Sequence, residues 1–202
     1  MRYLALGDSY TIGEQVALED NFPNQFVFLS KELYHVELSS PEIIAQTGWT
    51  THELLSSILL KEPEKNYDIV TLLIGVNNQY RGYPIEIYQK EFQQLLNMAI
   101  SFAQNRAKSV FVLSIPDWGC TPFAESKNPA LIKEEINAYN KINQEIALKA
   151  GCHYLDVTLS TRLNGANLEY LTPDLLHYNK NEYRIWAQNL ANMVAAYVKK
   201  SK

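Results

Sequence analysis

The sequence predicts an α/β fold, a three-layer α/β/α sandwich on a five-stranded parallel sheet. Three observations carry that expectation. Five short apolar runs, at residues 3–6, 36–45, 69–74, 110–115 and 153–157, alternate with longer segments whose apolar residues recur at helical spacing. The third and fourth runs are nearly continuous in Val, Ile, Leu and Phe, as in parallel strands covered on both faces. The length, 202 residues, suits one domain over 1–202, with no internal repeat, low-complexity tract or Pro/Gly/Ser-rich linker to divide it.

The elements follow in order. The first strand, residues 3–6, runs into a Gly-Asp-Ser turn, and Phe22, Phe26, Leu29 and Leu33 then mark one stripe of a helix. The second run is interrupted by Ser39-Ser40-Pro41, and Pro41 is tolerated only at a strand start, an edge or a bulge. Thr50 and Glu53 have capping-box spacing ahead of Leu54, Leu55, Ile58 and Leu59, and Pro63 stops that helix. Tyr88, Phe92, Leu95, Leu96 and Ala99 form the stripe between the third and fourth strands. Ile132, Ile136, Tyr139, Ile142 and Ile146 form the next, closed by Gly151 as a C-terminal cap. Tyr183, Trp186, Leu190, Val194 and Tyr197 form the last. Right-handed crossovers leave few topologies, and the flavodoxin-like order 2-1-3-4-5 is the expected one. Its switch point lies between the first and third strands, and ligands sit beyond the carboxyl ends of strands there. The turns after Leu6, Ala45 and Ile74 are therefore the ones to read for chemistry.

Composition narrows the function classes. With 18 basic and 22 acidic residues the formal charge is −4, which offers no electrostatic footprint for nucleic acid or an anionic membrane. No apolar stretch reaches the length of a secretory core or a membrane span, so the chain reads as soluble and cytoplasmic, without stable membrane insertion. Cys120 and Cys152 make neither a disulfide framework nor zinc-ligand spacing and read as buried thiols. His35, His52 and His153 read as structural or surface residues. No H-E-x-x-H, Walker loop or G-x-G-x-x-G is present, so neither a metal nor an organic cofactor is expected.

Four weak signals remain. Ser9, in Gly7-Asp8-Ser9, sits just past the first strand, where a tight turn can present its hydroxyl at the crevice; a plain turn and helix cap explains it equally. Gly48, in the second turn, lets a backbone N–H approach a ligand with no Cβ between. Asn77, in Gly75-Val76-Asn77-Asn78, can point amide donors inward from a strand end. Asp174 and His177 are three apart, so one helical turn would bring carboxylate and imidazole together, fixing the tautomer and leaving Nε2 to take a proton from a serine.

Together and in this order, these residues resemble the SGNH family of hydrolases, also called GDSL esterases and lipases. Ser9, Gly48, Asn77 and His177 match the four letters, and Asp174-Leu175-Leu176-His177 fits the family's D-x-x-H. The match spans positions 7 to 177, and the family's fold agrees with the one read above. This chain departs in having Asn78 where the family often has Asp, Tyr10 after the serine and Tyr178 where Pro is common. The resemblance implies Ser9 as nucleophile, His177 as general base and then acid, and Asp174 as its orienting partner. It also implies an oxyanion hole of the Ser9 and Gly48 N–H groups and the Asn77 amide. Around them Tyr10, Trp49, Asn78, Trp118 and Tyr178 are the expected substrate-binding residues, with Gln79, Tyr80, Arg81 and Asp117 nearby. The implied activity is hydrolysis of small or short-chain carboxylic esters through an acyl-serine, with a small-molecule ester as partner. A lysophospholipase, an acyl-CoA thioesterase, acyl transfer to a sugar, a catalytically silent binding module and a flavin binder stand as alternatives.

Overall fold

The computed structural model describes residues 1–200. Five parallel strands form one sheet in the order β2-β1-β3-β4-β5: β1 Tyr3–Gly7, β2 Glu42–Ala45, β3 Ile69–Leu73, β4 Val110–Leu113 and β5 His153–Leu155. The three central strands are buried throughout, whereas the edge strands β2 and β5 are partly exposed. That is why the central runs read as unbroken apolar sequence and the edge runs do not.

Eight helices surround the sheet among the described residues: α1 Ser9–Ile12, α2 Phe22–Tyr34, α3 Thr51–Lys61, α4 Val76–Tyr80, α5 Ile85–Phe102, α6 Pro129–Lys149, α7 Thr158–Asn164 and α8 Lys180–Lys200. Right-handed crossovers put α2, on the step from β1 to β2, on one face, and α3, α5 and α6 on the other. The helix α8 packs along α2, and the series α3, α5, α6 packs side by side. The five apolar stripes are the buried faces of α2, α3, α5, α6 and α8, although Leu33 and Leu59 at the stripe edges are exposed. Glu53 accepts a hydrogen bond from the Thr50 backbone N–H at 2.7 Å and so starts α3. The helix α6 ends in a Schellman arrangement, with the Gly151 N–H on the Leu148 carbonyl and the Cys152 N–H on the Ala147 carbonyl. No helix is long and apolar enough to cross a membrane, among the described residues.

Two sequence expectations need correction. The second strand spans Glu42–Ala45 rather than 36–45. Pro41 precedes it directly, because a prolyl nitrogen has no hydrogen for a ladder. Asp174 and His177 lie in no helix, as described below.

The feature that organises the site is register. Gly7 stands opposite Ala45 of β2 and opposite Leu73 of β3. Three chain segments therefore leave the sheet side by side, and Ser9, Gly48 and Asn77 lie within four residues of those ends. Gly7 has to be glycine: a Cβ would lie 2.0 Å from Thr11 Oγ1 and 2.5 Å from the Leu73 carbonyl oxygen. The first can rotate away, but the second belongs to the neighbouring strand. Gly7→Ala is thus expected to lower stability by about 1–3 kcal/mol, the usual cost of overpacking, measured by urea unfolding at pH 7. An unchanged midpoint would show that the sheet edge yields.

Candidate active site

The helix α1 is a single turn, and its first residue is Ser9. Asp8 is the N-cap, with Oδ1 accepting the Tyr10 N–H at 3.1 Å, and Gly13 closes the turn in the left-handed region. This cap leaves the Ser9 hydroxyl at the carboxyl edge of the sheet. Ser9 Oγ lies 3.0 Å from His177 Nε2, across 168 positions of chain. On the other side of the ring, His177 Nδ1 lies 2.6 Å from Asp174 Oδ2.

The Asp174–His177 spacing works through a turn, not a helix. Leu171 and Tyr178 form an antiparallel bridge, the Thr172 N–H donates to the His177 carbonyl, and the Leu175 N–H donates to the Thr172 carbonyl. Leu175 takes a left-handed φ of 60° to complete the loop. Asp174 Oδ1 accepts from the N–H groups of Leu176 and His177, both at 2.9 Å, and from Thr172 Oγ1 at 2.8 Å. The carboxylate orders its own loop and so fixes the imidazole that Oδ2 holds.

Partial burial opposes the charged form of Asp174, but the bonds from His177, Leu176 and Thr172 outweigh it and hold the carboxyl down at about 2. Asp8 is the opposite case. It is fully buried, and burial pushes its carboxyl up to about 7 against the opposing pull of the Tyr10 and Asp8 backbone N–H groups. Its Oδ2 has no hydrogen-bond partner.

Gly48 occupies the third position of a turn closed by Trp49 N–H on the Gln46 carbonyl, with φ of 83°. Turns with positive φ there favour glycine. The nearest atom to an added Cβ would be Arg81 Nη2 at 3.5 Å, so backbone conformation, not crowding, asks for glycine. Arg81 donates to the Gly48 carbonyl and pairs with Glu53 at 3.4 Å. Asn77 Nδ2 donates one hydrogen to the Trp49 carbonyl at 3.0 Å, which orients the amide and leaves its second hydrogen unassigned.

These groups line a cleft of about 200 Å³, shared by Ser9, Tyr10, Thr47, Gly48, Asn77 and His177 on its polar floor. Its walls are Val76, Tyr80, Trp118, Phe123 and Leu176. The Trp118 ring sits edge-on to Tyr80 and to Phe123, at 5.3 and 6.1 Å between centroids, and is anchored by Nε1 on Gln79 Oε1 at 2.7 Å. The lining contains no lysine or arginine.

Of the expected substrate-binding residues, Tyr10 and Trp118 line this cleft; Trp49, Asn78 and Tyr178 do not. Asn78 is buried and clasps Thr51 at the start of α3, through backbone N–H and side-chain hydroxyl at 3.0 and 2.7 Å. Tyr178 is buried behind Tyr10 and against Trp186. Trp49 contributes its carbonyl to Asn77 rather than its ring to the cleft. Asp117 is buried beneath the cleft wall and paired with Arg162 at 2.8 Å. Phe123, Val76, Thr47 and Leu176 are lining residues that the sequence reading passed over. Leu176, between Asp174 and His177, carried a positional signal; Phe123 carried none. Cys152 is buried, with its thiol pushed up to about 11 by burial, and Cys120 is half-buried. Among the described residues no group of three or more His, Cys, Asp or Glu side chains is arranged to hold a metal ion.

The profile of the GDSL-like lipase/acylhydrolase family matches residues 5–185. The chain belongs to this family. Among solved structures, this GDSL-like hydrolase family member is similar to the lipase/acylhydrolase from Enterococcus faecalis, with 17% identity over 96% of this chain and 95% of that one and a TM-score of 0.72. It is similar to the lipase Lip_vut3 from a goat rumen metagenome, with 20% identity over 98% of each chain and a TM-score of 0.74. A third likeness is to a W215I form of Axe2, an acetyl xylan esterase from Geobacillus stearothermophilus, with 14% identity over 96% and 94% and a TM-score of 0.67. At such identities the likeness establishes the fold. No functionally curated protein matches the chain in sequence.

The two aspartates predict opposite pH effects on stability. Asp8 keeps its proton in the folded state up to about pH 7, whereas an unfolded aspartate releases it near 3.8. The native state therefore binds more protons between those values, and stability falls as pH rises through that window. Asp8→Asn keeps an acceptor for the Tyr10 N–H, removes this slope and is expected to be more stable than the parent above pH 7. Asp174 stabilises above about pH 4, and its contribution is lost as pH falls toward 2. Urea unfolding from pH 2 to 8 measures both. A parent and Asp8→Asn protein with parallel curves above pH 4 would refute the Asp8 assignment.

Proposed function

We propose that this GDSL-family chain is a serine esterase that cleaves small or short-chain carboxylic esters through an acyl-serine. The observation that carries the reading is the relay Ser9 Oγ–His177 Nε2–Asp174 Oδ2, at 3.0 and 2.6 Å, on the floor of an apolar cleft. His177 takes the Ser9 proton as Oγ attacks the ester carbonyl, and Asp174 holds the ring in the tautomer with hydrogen on Nδ1. The imidazolium then protonates the departing alkoxide. Water, deprotonated by His177, attacks the acyl-serine, and His177 returns the proton to Ser9 Oγ as the acid departs. The developing oxyanion is met by the Ser9 and Gly48 N–H groups and the free hydrogen of the Asn77 amide.

The cleft walls favour an uncharged acyl group. Val76, Tyr80, Trp118, Phe123 and Leu176 bring apolar surface, and Arg81, the nearest guanidinium in sequence, is engaged by Gly48 and Glu53. Phosphate-bearing lysophospholipids and acyl-CoA therefore find no cation in the lining. A cleft of about 200 Å³ suits acetyl and other short chains better than long ones. The similarity to a lipase/acylhydrolase, a lipase and an acetyl xylan esterase agrees with ester chemistry.

Hydrolysis of p-nitrophenyl acetate and its longer homologues is the direct test. Ser9→Ala is expected to abolish turnover, and retention of activity by that variant would remove Ser9 as nucleophile. Asn77→Ala is expected to lower kcat by about 10²–10³ with little change in KM. If KM alone responds, Asn77 binds substrate and does not serve the oxyanion.

A further inference from the structure

The turn after α1 holds two neighbouring side chains that reach two different segments of the site. Glu14 accepts a hydrogen bond from Thr47 Oγ1, in the turn that carries Gly48. Gln15 Nε2 donates to Asp174 Oδ2 at 3.0 Å, across 159 positions. The nucleophile's own segment is thus fastened both to the turn of Gly48 and to the loop of His177. Gln15 has a φ of 63°, a left-handed conformation uncommon for a residue with a Cβ. Such backbone persists where surroundings over-determine it, and it clusters at functional sites.

The two oxygens of Asp174 have different partners. Oδ1 is filled from within the loop, by Thr172 Oγ1 and the N–H groups of Leu176 and His177. Oδ2 is shared between His177 Nδ1 and Gln15 Nε2. A second donor on that oxygen stabilises the carboxylate's charge and lessens its pull on the imidazole proton. We propose that Gln15 is a positioning residue that acts through Asp174 on His177: it holds Oδ2 in line with the ring and sets how readily the ring is protonated. The proposal rests on the esterase reading, because there the ring's protonation has a catalytic consequence.

Other ionisable groups surround the pair. Tyr10 of α1 packs on the His177 ring at 5.6 Å between centroids and feels Asp8, Asp174 and Asp117. Tyr183 of α8 feels Tyr10, Asp8, Asp174 and Glu14, and Tyr178 packs on Tyr10 from the far side. All are constant across substitutions at Gln15, which is itself exposed.

The test is a charge series, Gln15→Ala, Gln15→Glu and Gln15→Lys, read by the NMR titration of the His177 ring protons and by the pH profile of kcat/KM. Losing the donor leaves the carboxylate more strongly negative toward the ring, so the His177 midpoint and the acid limb rise in Gln15→Ala. They rise further in Gln15→Glu, which adds an anion, and fall below the parent in Gln15→Lys, whose cation opposes the imidazolium. In Gln15→Ala, kcat at pH 8 drops several-fold with KM unchanged. A merely structural tie would alter melting temperature and leave the midpoints alone, so one shared midpoint across all four proteins overturns the proposal. Absence of esterase activity in the unaltered chain is a separate failure: it overturns the esterase reading and the catalytic role built on it, whatever the NMR midpoints.

Discussion

The site depends on the parallel alignment of three strand ends. Gly7 sits in register with Ala45 on one side and Leu73 on the other, so β1, β2 and β3 stop together. Whatever follows each strand must then turn over the same sheet edge. Short caps do the rest. Asp8 starts a one-turn helix that begins with Ser9, a turn closed at Trp49 exposes Gly48, and α4 begins at Val76 so that Asn77 faces the Trp49 carbonyl. None of these local structures is long enough to be stable by itself. Each exists because a buried strand delivers its first residue to a fixed place.

Register explains three of the four segments, and aromatic packing explains the fourth. His177 comes from the far end of the chain. Tyr10, one residue past Ser9, packs on His177, Tyr178 and Trp186 at 5.6 to 6.2 Å between centroids. Trp186 belongs to α8 and meets Phe22 of α2 at 6.1 Å, so the pairing of these two helices carries the loop of His177 to the start of α1. The aromatic residue after the serine thus serves as the contact that unites the two ends.

Much of this was legible in sequence, for a physical reason. Fully buried central strands must be continuously apolar, and long helices on a sheet must show a stripe, so β1, β3, β4 and α5 announce themselves. Elements held by tertiary context do not: α1 and α4 are single turns, and β2 is a four-residue edge strand whose apolar run continues upstream without regular structure. The D-x-x-H spacing pointed to the right contact through the wrong geometry, since three-residue separation suits a helix and a carboxylate-capped turn equally. The cleft wall was least legible. Neighbours in sequence face different ways: on α4, where successive residues rotate by about 100°, Asn77 points toward the cleft while Asn78 points into the core. Phe123 reaches the cleft because its N–H donates to the Leu175 carbonyl, a contact no local pattern encodes.

Three departures from local rules lie around the site, although others lie elsewhere: His35, Glu62, Gln104 and Asn105 are also left-handed, and Ser30 and His153 also bury a polar atom without a partner. Asp8 buries an oxygen without a partner, Gln15 and Leu175 take left-handed backbone without being glycine, and all three lie in the segments that meet at Ser9, Asp174 and His177. Sequences are expected to be locally consistent except where function requires otherwise. The Asp8 carboxyl is the sharpest case. An asparagine would cap the Tyr10 N–H as well and avoid the cost of a buried acid, so capping alone does not account for an ionisable group there. On the proposed esterase mechanism, its neutral form would add no charge beside the Ser9 N–H, where that mechanism develops negative charge, whereas its anion would oppose that charge at close range. A buried acid that stays protonated up to about pH 7 is therefore compatible with the proposed oxyanion site in a way that a solvated aspartate in the same place would not be.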